Sequence, residues 1–293
     1  MAKSEAHTLG EFIGTFFEDL MKKPILEFAK RSNLYFDTYG ERSARPSKKL
    51  TWEDINGSKH DLDIVLEKGG TDEVIGVPVA FIELAWRRYT KHSKNKAQEI
   101  AGAINPICEK YKCIKPFKGA ILCGHFTENS LEQMKKDHFS VLYIPFDKLV
   151  TAFAKYGFDI DFNEDTKESE FKKKNAELAK RVNQPKLQHV RDEILSSCAG
   201  EINEFVQKLD FSYNCKVQTI CILPLHGVRK EVNDINSAIA FIEEYVSLPE
   251  GHQLECIEIT VTFNGGSDIR CRFKEKLEAI DFLNYIKQRR CFA

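Results

Sequence analysis

Two carboxylic acids flank apolar segments that have the character of neighbouring strands. Asp63 lies directly before the apolar triplet 64–66, and Glu83 lies twenty residues further along, inside the next apolar segment. If the two segments pair as antiparallel strands, both carboxylates reach one edge of a sheet. Divalent cations prefer hard oxygen ligands and keep positions open for water and phosphate. The pair therefore predicts a metal site that polarises a phosphoryl oxygen and helps to ionise a water molecule.

The elements that must position these acids follow from hydrophobic periodicity. In the first half of the chain we predict, in order, a helix over 9–30 that Pro24 kinks or divides, strands over 61–67 and 77–86, a helix from 93 to about 111, a strand over 118–124, a helix over 130–136, a strand over 140–145 and a helix over 149–156. The segment 31–60 is polar and rich in turn residues. Strands that alternate with helices imply a mixed sheet with helices against its faces.

The rest of the chain has a different character. An acidic run followed by lysines over 159–182 predicts a solvated linker or a long helix. A helix is expected over 187–209, and the last eighty residues have the order β-α-β-β-α, with a hairpin turn at 264–267. We therefore predict an α/β (α+β) chain with a first domain over 1–165, a charged linker and helix over 166–210, and a small α+β domain over 211–293 for recognition or dimerisation.

The order of acids and elements resembles the PD-(D/E)xK nuclease superfamily. The resemblance covers about residues 5–160: an acidic residue in the first helix, Asp63 at a strand start, Glu83 in the next strand and Gln98 on the following helix. It implies a restriction-endonuclease-like core in which Asp63 and Glu83 hold Mg²⁺, with Mn²⁺ as a possible substitute. Glu18 or Glu11 would match the accessory acid of the family, and Gln98 its glutamine.

The chain departs from that family at Ala85, where the motif has lysine. The missing cation would stabilise charge on the attacking water or the phosphate. We expect a lysine that has migrated to the following helix, with Lys94 first and Lys96 second. Lys94, Gln98 and Gly102 share one helix face, at spacings of four residues. The alternative is a site that binds nucleic acid or metal and cleaves nothing.

A basic stripe begins directly after Glu83. From 84 to 118 there are nine lysines and arginines against two glutamates, a local net charge of nine minus two, or +7. Such a stripe can neutralise backbone phosphates. Its first members, which we expect to bind nucleic acid, are Arg87, Arg88, Lys91 and Lys94.

Each of these residues also has an ordinary structural interpretation. Asp63 can be a turn acid that caps the strand, in which case Asp61 is the ligand. Glu83 and Gln98 can be surface residues, and Glu11 or Glu18 can be helix acids favoured by the macrodipole. Trp86 is more typical of packing than of base stacking.

Composition restricts the class of function. The 43 basic and 44 acidic residues nearly cancel, which excludes a globally basic coat protein but not a local basic face. Nine cysteines without C-x-x-C spacing are typical of reduced thiols. We expect a cytoplasmic protein without membrane contact.

The favoured function is a metal-dependent, restriction-type endonuclease that cuts double-stranded DNA as a homodimer, since two strands need two sites. The alternatives are an inactive nucleic-acid-binding protein on the same fold, a DNA repair or recombination nuclease, and a protein-interaction module whose basic stripe meets an acidic partner.

Overall fold

The computed structural model describes residues 4–90, 93–112, 114–181, 185–214, 216–225, 227–245, 255–264 and 268–290. The chain divides into two compact units, Met1–Leu209 and Asp210–Ala293. Within these described ranges, none of the helices combines the length and apolar character needed to cross a bilayer.

The first unit is built on a mixed five-stranded sheet. Its strands, in spatial order, are β1 (Leu34–Thr38), β4 (Ile64–Lys68), β5 (Val77–Arg87), β6 (Phe117–Gly124) and β7 (Ser140–Pro145). The pairs β1–β4 and β4–β5 are antiparallel, whereas β5–β6 and β6–β7 are parallel. Strand β5 is therefore the point where the sheet changes from antiparallel to parallel pairing. A separate hairpin of β2 (Thr51–Glu53) and β3 (Lys59–Asp61) follows β1.

Helices cover both faces of this sheet. They are α1 (Glu5–Arg31), α2 (Ser93–Lys110), α3 (Glu128–Lys136) and α4 (Phe146–Lys155). Helix α1 runs without a break through Pro24, and its buried face includes Leu9, Ile13 and Phe17. The apolar face of α2 packs on β5 and β6, where Ala97 and Ile100 share a core cluster with Phe81 and Leu122.

The charged segment after residue 165 packs into the first unit. It forms α5 (Glu168–Arg181), α6 (Pro185–Ser197) and α7 (Ala199–Tyr213). Phe171 and Leu178 of α5 are buried, and the Asn175 side-chain amide donates to the Glu5 carbonyl oxygen at 2.8 Å. The expected linker over 166–210 is thus a set of packed helices, because two apolar residues anchor its charged sequence. The single helix expected over 187–209 is divided next to the buried Cys198.

The second unit is a four-stranded antiparallel sheet with two helices. Its elements are β8 (Val217–Pro224), β9 (Lys230–Val232), α8 (Ile235–Glu244), β10 (Ile257–Phe263), β11 (Asp268–Phe273) and α9 (Lys276–Arg290), with strand order β11-β10-β8-β9. Strand β9 turns the expected β-α-β-β-α order into two successive β-β-α segments. It was missed because its three residues, Lys230 to Val232, are exposed or half-buried and mostly charged. The predicted turn residues 265–267 lie outside the described residues.

A buried cluster of charged residues holds the segment 31–60 in place. The sequence predicts this segment only as polar and rich in turns. The Arg42 guanidinium donates to Asp37 at 2.5 Å and to both oxygens of Glu67 at 2.7 and 3.0 Å. It also donates to the carbonyl oxygens of Thr71 and Val74. Arg42 and both acids are at most 5% exposed. The cluster ties strands β1 and β4 to the loop that leads into β5.

Within the described part of the chain, six cysteines are free thiols: Cys108, Cys123, Cys198, Cys221, Cys256 and Cys271. Cys123 and Cys198 are fully buried, and burial raises the pKa of both thiols. These two residues act as small core residues.

Candidate active site

Strand register brings Asp63 and Glu83 together. Strands β4 and β5 pair with Ile64 opposite Ile82, so Asp63, one residue before β4, comes beside Glu83. The Leu84 backbone N–H donates to Asp63 Oδ2 at 2.8 Å, which fixes the aspartate against β5. The Asp63 backbone is fixed as well, because the Thr38 hydroxyl donates to its carbonyl oxygen at 2.8 Å. Backbone pairing and these two hydrogen bonds therefore fix Asp63 next to Glu83, at the strand pair β4–β5.

Glu83 is a buried acid with an unusual environment. Its side chain is 8% exposed, and its Oε1 atom is buried without a hydrogen-bond partner among the described residues. Burial, and after it the negative charge of Asp63, raise the pKa of Glu83 from its usual 4.5 to about 8, while Lys96 acts in the opposite direction. This environment disfavours the ionised form of Glu83.

Glu18 and Lys96 approach the same carboxylates from two helices. Burial raises the pKa of Glu18 in α1, and the next contribution comes from the charge of Asp63. The charge of Lys96 in α2 lowers the pKa of both Glu18 and Glu83. Only 13% of the Lys96 side chain is exposed. Electrostatic coupling thus links Asp63, Glu83 and Glu18 to one another and to Lys96.

Ala85 lies in the packed contact between β5 and α2. Ala85 is 3% exposed and shares a core cluster with Ala97 and Ala101 of α2. A lysine at position 85 would have to displace this contact between β5 and α2. Lys96 instead borders the buried face of α2, four residues before the buried Ile100.

The other lysine candidate lies on a different face of α2. Lys94, Gln98 and Gly102 are all exposed, and nothing lies within 4 Å of the position that a Cβ on Gly102 would take. The face that these three residues share is therefore turned to solvent. Lys96 is the residue of this helix whose charge acts on Glu18 and Glu83, whereas Lys94 and Gln98 are exposed to solvent. A spacing of four residues predicts a shared helix face, but it does not predict which face packs on the sheet.

Two acids that competed with the site residues have other partners. Asp61 accepts from the Lys49 ammonium at 2.5 Å and from the Thr51 hydroxyl at 2.6 Å. These bonds hold it on the β2–β3 hairpin. Glu11 lies 3.7 Å from the His7 imidazole, on the exposed side of α1. Glu18, the other candidate acid of this helix, is coupled to Asp63, whose charge raises its pKa.

A groove of about 390 Å³ lies beside Glu18. One wall is α1, with Gly10, Gly14 and Glu18, and the other is the end of β5, with Trp86 and two arginines, Arg87 and Arg88. Trp86 packs against Phe146 with 5.2 Å between ring centroids, and Cβ atoms added to Gly10 and Gly14 would lie 3.8 and 3.5 Å from it. Trp86 is thus a packed wall rather than a stacking platform. The two glycines lie four residues apart on the helix face that Trp86 approaches, and this spacing is a sequence signal for a close approach to α1. Lys91 lies outside the described residues.

The donor set fits a divalent cation. Among the residues that the structure describes, no three histidine, cysteine or acidic side chains form a ready metal cluster. The carboxylates of Asp63 and Glu83 nevertheless lie on paired positions, and no residue in the described part of the chain donates a hydrogen bond to the buried Glu83 Oε1. A hard cation would satisfy that oxygen and would make the ionised form of Glu83 favourable.

Comparison with known proteins does not assign the chain. No family model matches it, and no curated protein or solved structure is significantly similar to it. The function must therefore be inferred from the site itself.

Proposed function

We propose that the chain is a Mg²⁺-dependent endonuclease that hydrolyses phosphodiester bonds in double-stranded DNA, on a restriction-endonuclease-like first unit. The observation that carries this proposal is the pairing of the half-buried Asp63 with the buried Glu83, on both of which the helices α1 and α2 direct charged side chains. Two neighbouring carboxylates repel each other when both are ionised. A carboxyl group whose pKa is raised by burial and by a like charge, as that of Glu83 is, is typical of functional sites. A structural ion cluster in the same unit, that of Arg42, satisfies its carboxylates, whereas Glu83 keeps an unsatisfied oxygen.

Each residue has a defined part in this proposal. Asp63 and Glu83 hold Mg²⁺, and Glu18 adds a third negative charge from α1. The metal ion supplies Lewis acidity and lowers the pKa of bound water. Lys96 provides the positive charge that offsets the growing negative charge on the phosphate. Arg87 and Arg88 line the adjacent groove, where they can hold the sugar-phosphate backbone.

The experiment is cleavage of supercoiled plasmid with Mg²⁺, comparing Asp63→Asn with Asp61→Asn. The two acids are two residues apart, but only Asp63 faces Glu83. We expect cleavage by the wild type and by Asp61→Asn, and none by Asp63→Asn or Glu83→Ala. Cleavage that persists in Glu83→Ala would remove the acid pair from the mechanism. Linear product formed early indicates concerted double-strand cutting, which a homodimeric restriction-type enzyme gives and a nicking repair nuclease does not.

A second candidate is a nucleic-acid-binding protein that does not cleave. The observation that favours it is Ala85, which leaves the strand without the lysine of the resembling family. This candidate predicts salt-sensitive DNA binding through Arg87 and Arg88 and no product with Mg²⁺ or Mn²⁺. Metal-dependent cleavage that the Asp63→Asn substitution abolishes would exclude it.

A further inference from the structure

Glu99 has a position that the nuclease proposal does not account for. It lies on α2, three residues after Lys96, and its Oε1 accepts from the Lys96 ammonium at 2.6 Å. Its Oε2 lies 3.8 Å from an Arg87 guanidinium nitrogen on β5. One carboxylate therefore bridges two cations on two different elements, with one oxygen directed at each.

The two cations that Glu99 joins belong to the catalytic edge of the sheet. Lys96 acts on both Glu18 and Glu83, and Arg87 lines the groove beside Glu18. Arg87 is held in place, since it also donates to the Trp86 carbonyl oxygen at 3.0 Å. The space between Lys96 and Arg87 is thus a fixed cationic position next to the candidate metal ligands.

A phosphodiester has the same recognition chemistry as the Glu99 carboxylate. Both present two oxygens that share a negative charge, and both bind lysine and arginine through charge-assisted hydrogen bonds. Arg87 and Lys96 are 31% and 13% exposed, whereas Glu99 is 64% exposed. The cations are therefore partly enclosed, while the carboxylate that joins them is free to turn into solvent.

We propose that Lys96 and Arg87 form a subsite for a backbone phosphate and that Glu99 occupies it as an internal anion until nucleic acid displaces it. This inference rests on the proposed function, because it takes nucleic acid as the ligand of that edge. It assigns Glu99 a role opposite to that of a residue that merely positions Lys96. Removing a positioning residue weakens the site, but removing a competing anion strengthens phosphate binding.

The test is DNA binding by Glu99→Gln, with Glu109→Gln as the matched control. Both acids lie on α2 and form a lysine pair at a spacing of three residues, with Glu109 3.2 Å from Lys112. Both substitutions change the net charge by the same amount. Ten residues of helix separate them, about 15 Å, which exceeds the Debye length at physiological salt. Binding is measured without a divalent metal, so that no cleavage is needed, on a fluorescent DNA duplex over a range of salt concentrations.

We expect Glu99→Gln to bind roughly fivefold more tightly than the wild type, the factor that follows from one unit charge at contact distance in water. Glu109→Gln should change affinity by less than about twofold. Glu99→Asp keeps the charge on a shorter side chain that does not span both cations, and it should fall between Glu99→Gln and the wild type.

The outcomes separate this inference from the nuclease proposal. Equal affinities for Glu99→Gln and Glu109→Gln, or weaker binding by Glu99→Gln, overturn the internal anion even if the wild type cleaves DNA. Tighter binding by Glu99→Gln alone supports it even if no variant cleaves. Absence of DNA binding by the wild type and by all three variants overturns both proposals.

Discussion

The Glu83→Gln substitution should stabilise the first unit at alkaline pH when no metal is present. Glutamine keeps the shape of the side chain but carries no charge, so it removes the cost of ionising a buried acid. In the wild type, Glu83 has a pKa of about 8 in the folded state against 4.5 when exposed. The folded state therefore holds a proton that the unfolded state releases, and stability falls as the pH rises between these two values.

The size of the effect follows from this difference. One pH unit corresponds to about 1.36 kcal/mol. The interval from 4.5 to about 8 then gives a loss of roughly 5 kcal/mol for the wild type between pH 4 and pH 9. That is a large part of the stability of an ordinary domain. Glu83→Gln does not undergo this loss, so the difference in unfolding free energy between variant and wild type should grow by the same amount.

The assay is urea unfolding at pH values from 4 to 9 in the presence of EDTA. Both tryptophans of the chain, Trp52 and Trp86, lie in the first unit, so their fluorescence reports on that unit alone. The exposed acid Glu109 supplies the control variant, Glu109→Gln, which should follow the wild-type profile. If the curves of Glu83→Gln and the wild type stay parallel over the whole range, the environment that we assign to Glu83 is wrong.

Four further substitutions follow from the same structure. Lys96→Ala should reduce cleavage by about 10²-fold or more, whereas Lys94→Ala should leave the rate of the chemical step nearly unchanged in single-turnover assays. Arg42→Met should lower the unfolding free energy by about 3–5 kcal/mol in urea, because it removes the arginine that pairs with the buried carboxylates of Asp37 and Glu67. Ala85→Lys should lower the melting temperature and restore no activity, since a long cation there must displace α2 from β5, a core disruption of about 1–3 kcal/mol.

The order of elements in the first unit could be predicted because its helices and strands are long and periodic. The apolar stripe of α1 and the apolar strand pattern of β5 can be read from neighbouring residues alone. The structure contains the predicted mixed sheet with helices packed against it. The strand that follows Asp63 and the strand that contains Glu83 are joined by a short connection. A short connection favours antiparallel pairing. Register then placed the two acids side by side.

Other features depend on contacts between distant residues. Strand β1 is short, and one of its two buried residues is the polar Asp37. The strand therefore lacks the alternation of apolar and polar residues that predicts a strand. Its stability depends on Arg42, which pairs with Glu67 twenty-five residues away. The choice between Lys94 and Lys96 depended on which side of α2 packs on the sheet. That side is set by Ala85 and its partners in the core, and a helical spacing alone does not reveal it.

The most direct test of the central claim is the position of a bound metal ion. Crystals of the wild type soaked in Mn²⁺ should show an anomalous peak between the carboxylates of Asp63 and Glu83, at oxygen-ligand distances, and crystals of Asp63→Asn should show none. Mn²⁺ prefers the same hard oxygen ligands as Mg²⁺. A peak in the wild type would identify this acid pair as the metal site. A wild-type crystal without a peak there, at a Mn²⁺ concentration that supports cleavage, would contradict the account.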